Sequence, residues 1–306
     1  MGSAKKKKRQ QQSLGDALIS VAIYVFYAAF AFICVYPFYY IFINTISNND
    51  LSQKGMIIFL PHGIHFENYI KAVKIPGLVN AAFISVSRTV IGTLLTTMTT
   101  AFLGYMFTRE HLWHRKFWYR FVIITMYFNA GIIPWFLTMR NLHLTNNFWG
   151  YILPTIVSPF YIILAKTFVE SIPKELQQAA EIDGAGTMTL FYRVILPVIK
   201  PILATVAIFA AVAQWNAFQD TLLLMTDNKL YSLQFILYQY INQASSLKQL
   251  VNSSSGSAVA QSVATVQTAT SIRMTVTIIV VAPILLIYPI FQRYFVRGIM
   301  IGAVKG

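Results

Sequence analysis

The feature that most constrains this chain is a series of long apolar stretches. They lie at about residues 18–46, 80–107, 117–139, 148–169, 198–225 and 274–296. Each has roughly the 20 mostly apolar residues that a helix needs to cross a membrane. Strands of a membrane barrel would alternate in polarity over about 9–11 residues, and no stretch here does so. The sequence therefore predicts an all-α membrane protein with six transmembrane helices.

Composition agrees with this class and excludes an ordinary soluble domain. Of the 306 residues, 56% are hydrophobic and only 11% are charged, whereas soluble domains average about 25% charged residues. The first apolar stretch is far longer than the roughly 7–15 residues of a signal-peptide core, so it is predicted to be a retained helix. We therefore expect a basic cytoplasmic N-terminus over 1–16 and one transmembrane domain over 17–306.

Positive charge predicts the orientation of the helices. Most of the 24 Lys and Arg residues fall in the N-terminus, the 108–120 turn, the 166–200 segment and the C-terminal tail. The positive-inside rule then places both termini and the 170–197 segment in the cytoplasm. Because these charges lie at membrane edges, anionic lipid head groups are the expected partner rather than nucleic acid. The long outer loop, 226–273, has a serine-rich centre that is predicted to be flexible.

A short polar segment between the fourth and fifth apolar stretches breaks this apolar pattern. Four of the ten acidic side chains fall within 170–183. Ser171 as a capping residue, an early Pro173 and Glu175 in the first turn predict a helix start. Gly184 permits a left-handed turn, and Thr187 is predicted to begin a second short helix. The segment is therefore either an interfacial amphipathic helix without a partner or a docking surface.

The spacing of small and apolar residues favours the second interpretation. Residues 178–185 read Gln-Ala-Ala-Glu-Ile-Asp-Gly-Ala, and Val-Ile-Leu-Pro follows at 194–197. This pattern resembles the cytoplasmic-loop signature of the permease subunits of bacterial ABC importers, with Gln178 for the usual Glu and Val194 for the usual Ile. Residues 128–134, 215–216 and 288–306 are similar to the carbohydrate-uptake branch of that family.

The resemblance implies a type I ABC importer permease fold in a bacterial inner membrane. The coupling loop, residues 171–197, would carry a coupling helix that fits a groove on the ATPase subunit. Implied partners are a second permease in a heterodimer, an ATPase homodimer or heterodimer, an extracytoplasmic solute-binding protein and an oligosaccharide. The implied ATPase-coupling residues are Gln178, Ala179, Ala180, Glu181, Asp183, Gly184, Ala185, Leu196 and Pro197.

ATP chemistry is expected on the partner and not in this chain. The sequence has no Gly-x-x-x-x-Gly-Lys-Ser/Thr phosphate-binding loop, so ATP and Mg are predicted on the ATPase, with no cofactor and no enzymatic activity here. Glu110, His111 and His114 have only weak metal-site spacing and are expected to form a solvated, head-group-facing turn. A single Cys34 excludes a cysteine metal site.

Polar residues inside apolar stretches are candidates for the substrate path, because they are costly in lipid and face a cavity or a bundle interior. Asn216, Gln219 and Asp220 are predicted to share a helix face, next to a Trp215 ring that suits a sugar. The alternative is hydrogen bonding between helices. For Arg88, snorkelling to the membrane edge is favoured over facing an acidic solute. The candidates are Asn129, Gln214, Trp215, Asn216, Gln219, Asp220 and Arg88.

Two other functional classes stay open at this stage. An ion-coupled secondary transporter would use an intramembrane carboxylate, for which Asp220 is nearly the only candidate. A membrane-embedded enzyme would need a nucleophile–base or metal constellation, and none recurs in the apolar stretches. The leading hypothesis is a permease for an oligosaccharide, and Arg88 with the basic balance favours an acidic, alginate-like sugar.

Overall fold

The computed structural model describes residues 14–253 and 271–287, and every regular element in that part of the chain is helical. The longer helices are α1 (Leu14–Thr45), α4 (Leu78–Met106), α5 (Arg115–Tyr127), α6 (Ile132–Asn141), α7 (Pro159–Glu170), α11 (Lys200–Asn216), α13 (Leu233–Ser253) and α14 (Ser271–Ile287). Shorter ones are α2 (Asn49–Gln53), α3 (Glu67–Val73), α8 (Lys174–Ile182), α9 (Thr187–Leu190), α10 (Leu196–Val198) and α12 (Gln219–Leu224).

Unbroken apolar helices of membrane-spanning length are fewer than the sequence predicts. Among the described residues, Leu18–Thr45 within α1 and the whole of α4 qualify by length and composition. Two bent pairs qualify if each counts as one span: Phe148–Thr155 with α7, bent by 46°, and Thr187–Val198 with α11, bent by 78°. The helical class is confirmed, and the predicted third, fourth and fifth stretches are interrupted.

The interruptions have local causes. Between α5 and α6, Gly131 has a positive φ of 87°, and its N–H donates to the Asn129 side chain at 2.9 Å. Pro134 lies in the first turn of α6 rather than at the break, because proline is tolerated there. Between α11 and α12, Ala217 is extended with ψ of 129°. The prediction that Asn216, Gln219 and Asp220 share one helix face is therefore wrong.

The two ends of the predicted outer loop 226–273 are helical in the described part. The helix α13 extends into the serine-rich centre as far as Ser253, and the predicted flexibility of that centre stays a prediction. The first turns of α13 are buried at Leu233, Ile236 and Leu237 against α4 and α14, and a helix extends readily once nucleated. The rest of that centre, 254–270, and the end of the sixth stretch, 288–296, lie outside the described residues.

The helix α4 is the central helix of the described structure. It packs against α7, α11 and α13, and Gly104 makes its closest approach to α7, since a Cβ there would lie 2.7 Å from the Ala165 Cβ. One end of α4 contacts the 171–197 loop, and the other end contacts α12 and α13. In contrast, the side chains of α1 are mostly exposed within this chain.

Candidate functional site: the coupling loop

The coupling loop begins with the predicted short helix. The helix α8 runs over Lys174–Ile182, which confirms the helix expected after Pro173. Pro173 itself occupies the N-cap position. Ser171 is not the capping residue: it ends α7, and its Oγ donates to the Phe168 carbonyl at 2.7 Å. The same carbonyl also accepts from the Ser171 backbone N–H at 3.1 Å, so both donors of Ser171 close the last turn of α7.

The turn after α8 depends on Gly184. Its φ is +79°, in the left-handed region that favours glycine. The turn is closed by two backbone bonds, from the Gly184 N–H to the Glu181 carbonyl at 3.0 Å and from the Ala185 N–H to the Ala180 carbonyl at 2.9 Å. A Cβ at Gly184 would meet no heavy atom within 4 Å, so the backbone conformation and not space requires glycine there.

A second helical segment returns the chain to the bundle. It begins at Thr187 as predicted and continues through α9, a π-helical turn at Phe191–Ile195, and α10. Pro197 lies inside α10, and the chain then bends by 78° into α11. The π turn inserts an extra residue per turn, which rotates the side chains that follow and is frequent at functional sites.

A buried apolar cluster holds this returning segment against α4. Leu190, Phe191 and Ile195 are almost fully buried, together with Val169 of α7. The Phe191 ring stacks on Tyr105 of α4 with 5.3 Å between ring centroids. The Tyr105 hydroxyl donates to the Thr187 carbonyl at 3.2 Å. The loop therefore packs and bonds directly on α4.

An ion pair ties α8 to the chain segment just after α4. Arg109 Nη2 lies 2.5 Å from a Glu181 carboxylate oxygen, and Arg109 Nη1 donates to Gln177 Oε1 at 3.4 Å. The guanidinium also lies 5.8 Å from the centroid of the Tyr105 ring. Sequence reasoning missed both Tyr105 and Arg109 as site residues. Their four-residue spacing at the end of an apolar stretch was the available signal.

The opposite face of the loop is open and partly apolar. Ile182 is 86% exposed, Met188 49% and Leu176 42%. Ala179 and Asp183 are also exposed, whereas Ala180 is half-buried and packs against the cluster below. Exposed apolar side chains on a short polar helix indicate a contact surface. The helix is therefore supported on its inner side by the cluster on α4, and its outer face is exposed.

A polar cleft of about 650 Å³ lies beside α8. It is lined from the 108–115 turn, the end of α7 and α8, and it includes Gln178 and His111. No group of three or more His, Cys, Asp or Glu side chains suited to a metal occurs among the described residues.

The substrate-path candidates divide into a buried set and an exposed set. Arg88 is 1% exposed and is bonded to Gln214 and Asp220, so the favoured snorkelling of Arg88 is wrong. The ion pair also removes the basis for an acidic solute facing Arg88. Trp215 donates its indole N–H to the Val280 carbonyl at 3.0 Å and packs against Val280 and its neighbours, so its ring is half-buried.

The exposed candidates lie at the two helix breaks. Asn216 and Gln219 flank the break between α11 and α12 and are exposed. There, Phe218 stacks on Tyr238 with 4.8 Å between ring centroids. Asn129, also exposed, caps the Gly131 N–H at the other break. The structure brings Asn216 and Gln219 to one corner, while Arg88, Gln214 and Asp220 belong to a separate buried cluster.

Comparison with known proteins gives the family. Residues 97–301 match the family described as binding-protein-dependent transport system inner membrane component. The match covers more than half of the chain. The chain belongs to this family.

Several relatives of the permease are named as permease proteins of sugar transport systems. It is 30% identical over 95% of its length to the polygalacturonan/rhamnogalacturonan transport system permease protein YtcP of Bacillus subtilis, of which 99% is covered. It is 27% identical to an arabinooligosaccharides transport system permease protein, AraQ, of Halalkalibacterium halodurans, with 94% of this chain and 98% of that protein covered. The permease is thus a subunit of a carbohydrate ABC importer.

A solved structure supports the same fold. A chain of a bacterial ABC transporter involved in the import of the acidic polysaccharide alginate superposes with a TM-score of 0.80 and 26% sequence identity, covering 94% of the permease and 99% of that chain. The predicted type I ABC importer permease fold and the inner-membrane class are confirmed. The family is a membrane component and is not itself catalytic.

Proposed function

We propose that the permease forms, with a second permease, the membrane path for an acidic oligosaccharide, and that ATP hydrolysis on separate ATPase subunits drives the import. A solute-binding protein outside the membrane delivers the sugar. The coupling loop docks in a groove of the ATPase, on the cytoplasmic side where both termini also lie. The observation that carries this proposal is the open face of α8 above the buried Tyr105–Phe191 contact.

Support for the coupling role comes from the arrangement of the loop. Ile182, exposed at the end of α8, would lose its contact with water in a groove, which contributes roughly 1.5–3 kcal/mol for a side chain of this size. Ala179, also exposed, allows close approach because it is small. Since Phe191 packs directly on α4, a displacement of the loop would be transmitted to α4.

An acidic sugar is favoured by the relatives and not by Arg88. YtcP is named for polygalacturonan and rhamnogalacturonan, and the solved relative imports alginate; both names denote sugars that carry carboxylates. Within this chain, Asn216 and Gln219 are exposed polar groups beside an aromatic pair at a helix break. Amide side chains beside aromatic rings suit hydroxyl-rich sugars, so we assign this corner to the path.

An ion-coupled secondary transporter is disfavoured by the same geometry. Such a transporter needs a carboxylate that is available to bind its ion. Asp220, the candidate, is bonded through both carboxylate oxygens to Arg88 and also accepts from the Thr221 N–H at 2.8 Å.

The decisive experiment reconstitutes the permease with its second permease, ATPase and binding protein in liposomes. We expect ATPase activity to rise when uronide-loaded binding protein is added outside, and labelled oligouronide to accumulate inside. Neutral oligosaccharides of equal length serve as the competing substrates. ATPase activity that does not change when loaded binding protein is added would refute the proposal. Uptake driven by an ion gradient without ATP would refute it as well.

A substitution on the exposed face of α8 distinguishes a loss of ATPase binding from a loss of folding. Ala179→Arg places a long side chain on the open face of α8 without touching the cluster beneath it. We expect the ATPase to be lost from the purified complex while the unfolding midpoint of the permease stays unchanged. Asn141→Arg, at an exposed site on α6, is the matched control and should keep the ATPase bound.

A further inference from the structure

The strongest unassigned feature is a polar cluster at the other end of α4, which we call the Arg88 network; Arg88, Tyr151 and Gln214 in it are buried. It joins α4, the turn before α7, α11 and α12. Its members are Arg88, Tyr151, Thr155, Gln214 and Asp220.

Each N–H group of the Arg88 guanidinium donates a hydrogen bond. Its Nε and Nη2 donate to Gln214 Oε1 at 3.2 and 3.1 Å. Nη1 donates to the Ala217 carbonyl at 3.4 Å and to Asp220 Oδ1 at 3.2 Å, and Nη2 donates to Asp220 Oδ2. The guanidinium carbon lies 4.3 Å from the centroid of the Tyr151 ring. A guanidinium has five N–H donors in a rigid fork, and all five have acceptors here.

Three of these acceptors lie on the two sides of one helix break. Gln214 is in the last turn of α11, Ala217 is the extended residue at the break, and Asp220 is in the first turn of α12. A break leaves backbone groups without helical partners, and inside a membrane protein those groups must find other partners. Arg88 supplies one to Ala217 and fixes the direction in which α12 departs from α11.

The network extends to the turn before α7. Gln214 Nε2 donates to Thr155 Oγ1 at 2.7 Å, and the Thr96 hydroxyl of α4 donates to the Thr155 carbonyl at 3.3 Å. The Tyr151 hydroxyl donates to the Leu230 carbonyl at 2.6 Å. Four separate chain segments are thereby held to α4.

Stability alone is a poor explanation for this arrangement. A buried ion pair gains little net stability over well-packed apolar residues, because both charges lose their hydration. Ionisable groups within a membrane bundle are costly and tend to carry function. The bidentate fork does specify one position and orientation of Asp220 relative to Arg88, which apolar packing would leave less defined.

The Arg88 network and the coupling loop are attached to the same helix, α4. Arg88 and Tyr105 lie on the same unbroken helix, about 25 Å apart along its axis at the usual helical rise. Tyr105 holds the coupling loop, and Arg88 holds the break beside Asn216 and Gln219. One rigid helix therefore joins the loop to the corner assigned to the sugar path.

We propose that Arg88 is a positioning residue of the transport cycle, which fastens the α11–α12 break to α4 so that α4 and α12 move as one body when the coupling loop moves. This inference rests on the proposed function, because it assumes a coupling loop driven by an ATPase. Arg88 acts through Asp220 and Gln214 and does not touch the sugar.

The test uses the reconstituted complex with its ATPase and binding protein. Arg88→Met leaves the half-buried Asp220 without its cationic partner, so the double variant Arg88→Met/Asp220→Leu is also required. For the double variant we expect a near-normal unfolding midpoint, but a loss of binding-protein-stimulated ATPase and of uptake of about 5-fold to 150-fold, the usual range for coupling between sites. Arg140→Met, at an exposed arginine on α6, should change none of these.

Several results would overturn the assignment. Full recovery of uptake together with stability in the double variant would mean that the network only packs the bundle. Normal stimulation in Arg88→Met would have the same meaning. If the unsubstituted complex already lacks binding-protein-stimulated ATPase, the proposed function itself fails, and that outcome is separate from any effect of Arg88.

A second measurement leaves the network intact and applies even if both variants fail to assemble. Spin labels are placed at the exposed positions Val86 of α4 and Leu222 of α12, in a Cys34→Ser background that retains uptake. We expect the distance between the labels to be the same in the resting and ATP-bound complexes. A distance that changes with ATP would show that α4 and α12 move separately and would overturn the inference.

Discussion

The two ends of α4 differ in the kind of contact they make: one end packs through apolar side chains and the other bonds through polar ones. At one end, an apolar cluster around Phe191 supports a loop whose outer face is open. At the other end, the polar Arg88 network holds a broken helix through the buried Arg88 guanidinium. A surface that must meet a partner can rest on non-directional apolar packing. A break inside the bundle needs directional bonds, because its backbone groups cannot be left without partners.

The largest effect is expected from breaking the buried pair on one side. Arg88→Met should lower the free energy of unfolding of the permease by about 3–5 kcal/mol, because Asp220 loses its cationic partner in the bundle interior. Adding Asp220→Leu should restore most of that loss. Chemical unfolding of the detergent-solubilised permease measures both. A double variant as unstable as the single one would show that the charge of Asp220 is not the cause.

A similar loss is expected at the apolar end. Phe191→Ala should cost about 3–5 kcal/mol, because it leaves a cavity beneath the coupling loop and removes the stack on Tyr105. Its neighbour Tyr192 is 61% exposed, so Tyr192→Ala is the matched control and should cost far less. The same unfolding measurement applies. Equal losses at the two positions would contradict the assigned burial.

A smaller cost in stability, with a large effect on assembly, is expected at the turn of the coupling loop. Gly184→Val forces a β-branched residue into a left-handed conformation, which costs roughly 1–3 kcal/mol. We expect α8 to lose its orientation and the ATPase to be lost on purification. Gly186→Ala is the control, since Gly186 has a φ of −69° and open space around its Cβ position. Retention of the ATPase by Gly184→Val would argue against a fixed turn.

The smallest effect is expected from the exposed ion pair. Arg109→Met and Glu181→Gln should each lower stability by about 1 kcal/mol or less, because the Glu181 side chain is accessible to water. A double-mutant cycle on unfolding measures the coupling between the two side chains. A coupling as large as that of Arg88 with Asp220 would remove the contrast between the two ends of α4.

Local features of the coupling loop were predictable from the sequence. Pro173, Glu175 and Gly184 mark the bounds of α8 closely, because helix ends are encoded by a few residues near each end. Ser171 was misassigned since the same hydroxyl can cap the end of one helix or the start of the next. The ATPase-coupling roles of the individual loop residues stay predictions.

The sequence by itself determined the apolar helices, the membrane class and the polar loop, because polarity and helix-end signals act over a few residues. Only the tertiary structure decided which polar groups meet. Arg88 lies 126 residues from Gln214 and 132 from Asp220, and no local pattern encodes a contact at that separation. The helix break at Ala217 could not be predicted from the sequence for the same reason. The donor that bonds to the Ala217 carbonyl, Arg88, lies on another helix.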